Sequence, residues 1–464
     1  MLFFLLLIGT LLVFGPSPHS HLERVMKKGT LTVVTRNSPT TYYVGPEGPT
    51  GPEYDLAKAF AEHLGVELKL ITPQRFSDII PAIEHGDADF AAAGLTVTES
   101  RAARVRFTPP YQTITQQLVY RSGSGRVRPA SFDSLDDAVI DVVAGSSHEE
   151  LLATGAGRFE IRPHRTTESE ELLYLVWQGL MDYTVADSNE VMLNQRFYPE
   201  LTVAFDVSEP EELAWAFPPD EDTSLYDAAV AFFEQIRADG RLQQILERHY
   251  GHAERLDYVG TRVYLRHIET RLPEYRDWFE RAANEHGIDW RLLAAIGYQE
   301  SHWNPLARSP TGVRGLMMLT QRTARQMDVK NRLDPEESIM GGANYFMHVK
   351  AKLPDRIQEP DRTWLALAAY NVGFGHLEDA RKITEHQGGD PDKWVDVMER
   401  LPLLSQKAYY QYTRFGYARG REPVQYVQNI RSYYDILVWV TSDGDATRRP
   451  ASMDPVYGIA PLSL

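Results

Sequence analysis

The sequence predicts a two-lobed α/β domain followed by an all-α domain. From Gly29 onward, short β-branched runs such as residues 31–36 alternate with helical segments such as residues 53–65. This alternation is typical of a parallel sheet flanked by helices, and it resumes over residues 139–251 as a second, similar set. After His252 the strand signals stop, and almost every later segment carries apolar residues at helical spacing.

These patterns also predict the domain boundaries. We expect residues 22–252 to form the α/β domain and residues 253–464 to form the helical domain. The linker should lie between about residues 251 and 270, and the all-α pattern itself begins near Tyr264. The sequence shows no internal repeat and no low-complexity tract.

The N-terminal residues 1–21 are predicted to be a signal peptide. They begin with an apolar run of about 14 residues, which is shorter than a membrane-spanning helix needs and ends at Gly15, Pro16 and Pro18. An uncleaved anchor or a buried helix is the alternative, because no Lys or Arg precedes the run. Both the signal and the anchor interpretations indicate an exported protein.

Composition excludes several classes of function. With 64 acidic and 48 basic residues, the chain has a formal charge of -16 and offers no basic field for a phosphate backbone, so nucleic acid is not an expected partner. The chain has no cysteine. This excludes disulfides, thiolate metal sites, a cysteine nucleophile and the acylated cysteine of a lipoprotein.

One carboxylate in the helical half has a pattern that suits general acid catalysis. Leu293, Ile296 and Glu300 fall on one face of a predicted helix, so Glu300 should lie on the apolar side near the helix end. Burial there should raise its pKa and keep the carboxyl protonated, as cleavage of a glycosidic bond requires. Taken alone, a Glu beside Ser at a helix end is more often a solvated or capping residue.

Neighbouring motifs favour the catalytic interpretation. Glu300-Ser301 is followed by the turn at residues 315–320, by Ala369-Tyr370-Asn371 and by Tyr426. In this order and spacing, residues 264–440 resemble the lysozyme-like, Slt-type lytic transglycosylases. The resemblance implies a lysozyme-like fold for the helical domain.

The resemblance extends to the N-terminal half. Many Slt-type relatives carry Gln where this chain has Met318. The Met-Met form resembles the membrane-bound F branch of the lytic murein transglycosylases, whose members pair the catalytic domain with a solute-binding domain. The implied fold class is therefore an α/β two-lobed periplasmic-binding-protein-like (type 2) domain followed by an all-α lysozyme-like domain.

The resemblance also implies a reaction. Glu300 would protonate the glycosidic oxygen between N-acetylmuramic acid and N-acetylglucosamine, and the substrate's acetamido group would stabilise the sugar cation. Ionised Glu300 would then take the proton from the muramic acid 6-hydroxyl, which closes a 1,6-anhydro ring. The enzyme class implied is a peptidoglycan lytic exotransglycosylase, although the residues alone do not decide between cutting strands at their ends and inside them.

The remaining catalytic-domain residues are assigned substrate-binding roles by the same resemblance. Ser301 and Tyr426 would orient the substrate and Glu300, Tyr370 and Asn371 would line the sugar sites, and Gly315 would let the backbone approach the glycan. Met318 belongs to the same turn, but the substrate hydrogen bond that a Gln would make there cannot be carried over.

Other candidate groups have ordinary structural explanations. Asp334, Glu336 and Glu337 come just before a predicted helix, where acidic residues commonly stabilise the N-terminus, so we do not expect them to act as a second catalytic carboxylate. No His-Glu-x-x-His segment occurs, and His302 does not have the spacing that puts two ligands on one helix face. No metal and no cofactor is predicted.

The α/β half contains a possible amino acid grip. Thr96 and Arg101 match the segment in which type 2 amino-acid-binding proteins hold the ligand carboxylate, a task that suits the planar guanidinium. Ser146 and Ser147 would add hydroxyls and helix-start amides, and Asp187 would take the ligand ammonium. The alternatives are a surface charge run for Arg101, a helix N-cap for the serines and a turn for Asp187.

The predicted partners follow from both halves. They are peptidoglycan glycan strands, an amino acid or muropeptide in the N-terminal cleft, and peripheral contact with the outer membrane of a Gram-negative periplasm. Two alternatives stay open at this point. One is a periplasmic binding protein with a non-catalytic helical domain, and the other is a hydrolytic muramidase.

Overall fold

The computed structural model describes residues 19–45, 48–123, 128–154, 159–251, 258–309 and 312–441. The predicted signal peptide, residues 1–21, lies almost wholly outside these ranges. The chain divides into two compact units, of which the first ends at Arg262 and the second begins at Val263.

The first unit is built from two five-stranded sheets, one in each lobe. Its strands are β1 Thr30–Val34, β2 Tyr43–Gly45, β3 Gly48–Thr50, β4 Glu67–Ile71, β5 Phe90–Ala91, β6 Arg106–Phe107, β7 Gln112–Ile114, β8 Gln116–Arg121, β9 Val139–Val143, β10 Glu160–His164, β11 Tyr183–Asp187, β12 Leu201–Asp206, β13 Glu211–Leu213 and β14 Ala216–Phe217. Its helices are α1 His21–Lys28, α2 Pro52–Leu64, α3 Ile79–Glu84, α4 Glu99–Ala102, α5 Ser147–Thr154, α6 Ser169–Gln178, α7 Ser188–Gln195, α8 Ser224–Ala238 and α9 Arg241–Tyr250.

The two sheets explain why the predicted parallel pattern is only partly correct. The first sheet has the order β4-β1-β5-β14-β6 and the second β10-β9-β11-β8-β12. In the first sheet β1, and in the second sheet β9, pairs in parallel with both of its neighbours, as the alternation of strands and helices predicts. The strands β8 and β14, in contrast, pair antiparallel with theirs. They are the strands on which the chain enters the second lobe and returns to the first, so no crossover helix precedes them.

Each lobe has its own apolar core. In the first lobe Phe60, Phe90, Trp215 and Phe232 are completely buried between the sheet and its helices. The second lobe buries Leu118, Ile140 and Val185 in the same way. The lobes are joined by the short antiparallel pair β7 and β13, where the chain crosses between them twice.

The second unit contains helices as its only regular elements among residues 263–309 and 312–441, which confirms the predicted all-α domain. The helices are α10 Tyr258–Thr270, which spans the division between the units, α11 Leu272–His286, α12 Trp290–Ser301, α13 Gln321–Gln326, α14 Pro335–Lys350, α15 Asp361–Val372, α16 Phe374–His386, α17 Trp394–Arg400, α18 Lys407–Tyr410 and α19 Arg421–Thr441. Across the part of the chain that the structure covers, none of the helices is long and apolar enough to span a membrane.

Helix α12 lies at the centre of this unit. It begins at Trp290, where the N-cap Asp289 accepts a hydrogen bond from Arg291 N at 2.9 Å, and it ends before His302, which has a left-handed backbone with φ of 52°. The helix packs against α11 and α19, and α19 also packs against α15. This arrangement brings the end of α12 next to α15 and α19, which carry Tyr370 and Tyr426.

Candidate active site and ligand cleft

The Glu300 carboxyl has the properties that the sequence predicts for a general acid. It lies one residue before the end of α12 and is half-buried. Burial raises the pKa of Glu300 to about 7, although a hydrogen bond from Tyr426 acts in the opposite direction. A carboxyl with this pKa can be protonated or ionised near neutral pH, so it can first donate and then accept a proton.

Two tyrosines line the site of Glu300. The Tyr426 hydroxyl donates a hydrogen bond to Glu300 Oε1 at 2.6 Å. The rings of Tyr426 and Tyr370 lie nearly parallel, with centroids 6.4 Å apart, and the ring of Tyr345 is 5.2 Å from that of Tyr370. Asn371 is exposed at the end of α15. The predicted residues Tyr370 and Tyr426 therefore meet beside Glu300, and Asn371 follows Tyr370 in α15.

Ser301 holds the turn at residues 315–320 in place. Its hydroxyl donates to the carbonyl of Leu316 at 2.7 Å, while the Tyr370 hydroxyl donates to the carbonyl of Met317 at 3.3 Å. The turn is therefore tied to the helix that carries Glu300 and to the helix that carries Tyr370. Met317 is buried, whereas Met318 is half-buried and has a left-handed backbone with φ of 46°.

Gly315 is required in this turn by both its backbone conformation and its surroundings. Its φ of +86° is one that L side chains rarely adopt, and a Cβ would lie 1.7 Å from the carbonyl oxygen of Arg332. The close approach of two backbone segments thus fixes the turn beside Ser301.

Among the residues that the structure describes, no second carboxylate contributes to the pKa of Glu300. Asp334 instead caps α14 by accepting a hydrogen bond from Glu337 N at 2.9 Å. Glu337 accepts from the backbone of residues 330 and 331, and Glu336 pairs with Arg281. The predicted structural interpretation of these three carboxylates is confirmed.

In the first unit, Arg101 is buried where the two lobes meet. Its guanidinium donates to the carbonyls of Thr96 at 3.0 Å and Gly145 at 3.3 Å, and it lies 5.5 Å from the centre of the Phe76 ring. A pocket beside it is lined by residues that include Phe76, Ser77, Leu95 and Gly145. Burial lowers the pKa of Arg101, so a ligand carboxylate would stabilise its charge.

The predicted residues Thr96, Ser146 and Ser147 lie near Arg101, but they are not among the residues that line the pocket. The Ser147 hydroxyl donates to Thr96 Oγ1 at 3.2 Å, which links the two lobes. Ser146 caps α5, because its hydroxyl oxygen accepts from Glu149 N at 3.3 Å and its proton goes to the carbonyl of Val143 at 2.6 Å. Ser146 therefore acts as a helix N-cap, which is the alternative interpretation given for it from the sequence.

Asp187 is buried and engaged with groups of its own lobe. Its Oδ1 is 2.9 Å from His148 Nε2, and its backbone N donates to Glu190 Oε2 at 3.3 Å. His148, Asp187 and Glu190 offer ligand atoms that all lie within 4.8 Å of one another, the kind of group that can hold a metal ion. Glu190 is also ion-paired with Arg36, so the guanidinium of Arg36 already supplies a positive charge next to this cluster.

Comparisons with known proteins agree with this geometry. Bacterial extracellular solute-binding proteins, family 3, match residues 31–252, and the transglycosylase SLT domain matches residues 277–392. A membrane-bound lytic murein transglycosylase F of Alkalilimnicola ehrlichii is 51% identical over 453 residues, which is 96% of this chain and 90% of that protein. Proteins of the same name from Saccharophagus degradans and Ectopseudomonas mendocina are 49% and 51% identical, and cover 90% and 94% of this chain and 84% and 91% of their own lengths.

This chain belongs to the membrane-bound lytic murein transglycosylase F family. Membership confirms the predicted fold class, a solute-binding domain followed by a helical SLT domain. It also confirms the enzyme class predicted from the four motifs, a lytic transglycosylase.

One group of buried charges in this family member was not predicted from the sequence. Arg36 follows β1 and is buried against Glu190, with Glu168 Oε2 at 3.5 Å. Ser38 donates to Glu170, which also lies in the second lobe. Burial opposes the charge of Arg36, but Glu190, Glu170 and Glu168 raise its pKa above the usual range. The position of Arg36 just after a predicted parallel strand could have indicated a role at the cleft, because the ends of such strands line ligand clefts.

Glu53 is a second buried carboxyl that the sequence analysis missed. It accepts hydrogen bonds from Gly94 N at 2.8 Å, from Trp215 Nε1 at 3.0 Å and from the Tyr111 hydroxyl. Burial raises the pKa of Glu53 to about 7, against the effect of these hydrogen bonds. The side chain joins α2 to residues that precede or follow strands of the first lobe, and no local pattern in the sequence marks it.

Proposed function

We propose that Glu300 catalyses non-hydrolytic cleavage of the β-1,4 bond between N-acetylmuramic acid and N-acetylglucosamine in peptidoglycan. The observation that carries the proposal is one half-buried carboxyl with a pKa of about 7, hydrogen-bonded to Tyr426. Most glycosidases use two carboxylates, one of them to activate water or to act as a nucleophile. A reaction in which the substrate supplies its own nucleophile needs only the one.

The proton then follows a closed path. Protonated Glu300 gives its proton to the glycosidic oxygen as the bond from that oxygen to the muramic acid anomeric carbon breaks. The substrate's acetamido group stabilises the resulting sugar cation. The Glu300 carboxylate next removes the proton of the 6-hydroxyl while the 6-oxygen bonds to the anomeric carbon, which leaves a 1,6-anhydro end and returns Glu300 to its protonated form.

The surrounding residues support this role for Glu300. The Tyr426 hydroxyl fixes the orientation of the carboxyl, and its hydrogen bond stabilises the ionised form in which Glu300 acts as base. Ser301 is a positioning residue, because its hydroxyl is donated to the turn carbonyl of Leu316. We assign the walls of the sugar sites to Tyr370, Asn371 and the turn with Gly315 and Met318.

Mass spectrometry of digested peptidoglycan tests this function. Purified protein should release anhydro-muropeptides, and the Glu300→Gln variant should release none, because the amide cannot donate the proton. Products with reducing ends would show hydrolysis, the muramidase alternative. No products from either protein, with the fold retained, would favour the binding-protein alternative.

We further propose that the first unit binds an amino acid or a muropeptide between its lobes. The buried Arg101 guanidinium beside a pocket supports a carboxylate ligand. Asp187, which we assign to the ligand ammonium, is buried against His148 and does not line this pocket. Titration calorimetry with free amino acids and stem peptides should give binding that Arg101→Ala abolishes. Unchanged binding in that variant would refute the assigned grip.

We propose that ligand binding also controls cleavage, because both units belong to one chain. This coupling requires the ligand to bind the active and inactive arrangements with different affinities. Cleavage rates should therefore change when the cleft ligand is added to the wild type and stay constant in Arg101→Ala. A rate that does not respond to any bound peptide would exclude the coupling.

We propose that the protein acts in the periplasm, attached peripherally to the outer membrane. The relatives' name, membrane-bound, supports an envelope location. Density-gradient fractionation of cells should place the protein with outer-membrane markers, and a salt or carbonate wash should release it. Recovery with the inner membrane after such a wash would contradict peripheral attachment.

A further inference from the structure

Three exposed aromatic side chains lie in the segment from Lys407 to Arg421, which we call the aromatic segment. Tyr412, Phe415 and Tyr417 are 83%, 51% and 57% exposed. Soluble proteins seldom expose several large apolar groups together unless the patch binds a partner. The reaction proposed for Glu300 does not use any of these three side chains.

The fold holds this segment in a fixed conformation. The side chain of Asp379 is buried in α16 and accepts hydrogen bonds from the backbone of Arg414 at 3.1 Å and of Phe415 at 2.8 Å. The rings of Tyr410 and Tyr417 pack edge to face with centroids 5.7 Å apart. Because the buried Asp379 carboxylate accepts both backbone hydrogen bonds, it fixes the conformation in which the rings point outward.

The aromatic segment also packs against the helix that follows Asn371. The Phe415 ring packs on the first turn of α16, where a Cβ on Gly375 would lie 2.8 Å from it, and its centroid is 6.1 Å from that of His376. Gly375 is only four residues beyond Asn371, the residue proposed to line the sugar sites. The aromatic segment therefore contacts α16 at a point close in sequence to Asn371.

The charge of the segment differs from that of the rest of the chain. The chain as a whole carries -16, but residues 407–421 contain no acidic residue. They include the exposed basic residues Lys407, Arg414 and Arg421, and also Arg419, which pairs with Glu422 just beyond the segment at 3.1 Å. Peptidoglycan strands combine sugar rings, which have apolar faces, with peptide stems that carry carboxylates. The combination of flat aromatic rings and cations complements both parts of such a strand.

We propose that the aromatic segment is an additional glycan subsite, which holds the strand beyond the sugars that contact Glu300. Tyr412, Phe415 and Tyr417 stack on sugar faces, and the basic side chains pair with carboxylates of the peptide stems. This proposal rests on the transglycosylase function proposed above, because the occupant is the strand that Glu300 cleaves.

Kinetics on substrates of two lengths test the subsite. The Tyr412→Ala/Tyr417→Ala variant and the wild type are compared on long glycan strands and on a peptide-bearing tetrasaccharide. We expect the ratio of kcat/KM for long strands to kcat/KM for the tetrasaccharide to fall about tenfold in the variant, because two stacking contacts are lost. The Tyr412→Phe/Tyr417→Phe variant keeps the ring faces and should keep the ratio, which separates stacking from folding defects.

Leu180→Ala is the matched control, since Leu180 is an exposed apolar side chain of the first unit, 75% exposed. This substitution should leave the ratio at its wild-type value. An unchanged ratio in Tyr412→Ala/Tyr417→Ala, or an equal fall in Leu180→Ala, would overturn the proposal.

A binding measurement keeps the test independent of catalysis. In the Glu300→Gln background, cosedimentation with isolated peptidoglycan should weaken about tenfold when Tyr412 and Tyr417 are both changed to Ala. If the wild type cleaves neither substrate, the proposed function fails, while this assay still decides the subsite. Undiminished sedimentation with peptidoglycan overturns the subsite, and a loss of binding only to phosphatidylglycerol vesicles would assign the segment to a lipid surface instead.

Discussion

The hydroxyl of Tyr426 lies 2.6 Å from Oε1 of Glu300, although 126 residues separate the two along the chain. The contact exists because α12 and α19 pack directly against each other. Burial raises the pKa of Glu300, whereas this hydrogen bond lowers it, because a hydrogen bond to the carboxylate stabilises the ionised form. Burial and this hydrogen bond together hold the pKa near 7, where both proton transfers of the proposed reaction can occur.

Tyr426→Phe should therefore change the pH profile as well as the rate. Without the hydrogen bond, the Glu300 pKa should rise, so the alkaline limb of the kcat/KM profile should move to higher pH. The rate at the optimum should fall about tenfold or more, because the carboxyl is no longer held in one orientation. A rate that falls with no movement of the alkaline limb would contradict the assigned role of Tyr426.

Glu300→Gln should stabilise the protein at alkaline pH. The folded pKa of Glu300 is about 7 against an ordinary value of 4.5, so the folded state binds the proton more tightly than the unfolded state. The contribution of Glu300 to stability is then fully present below about pH 4.5 and is lost as pH rises through 7. After a reduction for partial exposure, we expect the variant to gain about 1–2 kcal/mol over the wild type between pH 5 and pH 8.

Thermal unfolding of the two proteins at both pH values measures this difference. The Asp334→Asn variant is a useful comparison, because Asp334 is also half-buried but serves as the cap at a helix N-terminus. A gain for Glu300→Gln that does not depend on pH would show that the raised pKa is not its cause.

Much of the catalytic site could be predicted because its signals are local. The helical spacing of Leu293, Ile296 and Glu300 gave both the helix and its apolar face, and the structure has α12 at Trp290–Ser301. What the sequence could not supply is the set of partners across the fold. Hydrogen bonds such as those of Ser301 to Leu316 and Tyr370 to Met317 depend on helix packing that no local pattern encodes.

The ligand cleft shows the same limit more strongly. Arg36 and Glu190 are 154 residues apart and lie in different lobes, so the sequence around either residue does not indicate that the two pair. The antiparallel strands β8 and β14 were missed for a related reason. Their direction depends on where the chain passes between the lobes. The alternation of strands and helices in the sequence does not indicate those positions.

Gly315→Ala should be much more disruptive than Gly312→Ala. Both glycines have a φ of +86°, but a Cβ at Gly312 meets nothing within 4 Å, whereas one at Gly315 lies 1.7 Å from Arg332 O. The backbone strain common to both should destabilise the protein by about 1 kcal/mol. The clash should add about 1–3 kcal/mol in Gly315→Ala and displace the turn held by Ser301. Chemical denaturation of the two variants measures the difference, and equal losses would mean that the turn can move away.

Arg36→Met should strongly destabilise the first unit. The variant leaves the buried Glu190 carboxylate without its cation, which typically costs about 3–5 kcal/mol. Arg36→Met/Glu190→Gln removes both charges and should recover part of this loss, about 1–3 kcal/mol. Arg24→Met is the matched control, because Arg24 is exposed and lies 3.9 Å from Asp222, so its loss should stay below about 1 kcal/mol. Urea unfolding followed by circular dichroism compares the four proteins, and a double variant no more stable than Arg36→Met would show that the buried pair is not the source of the loss.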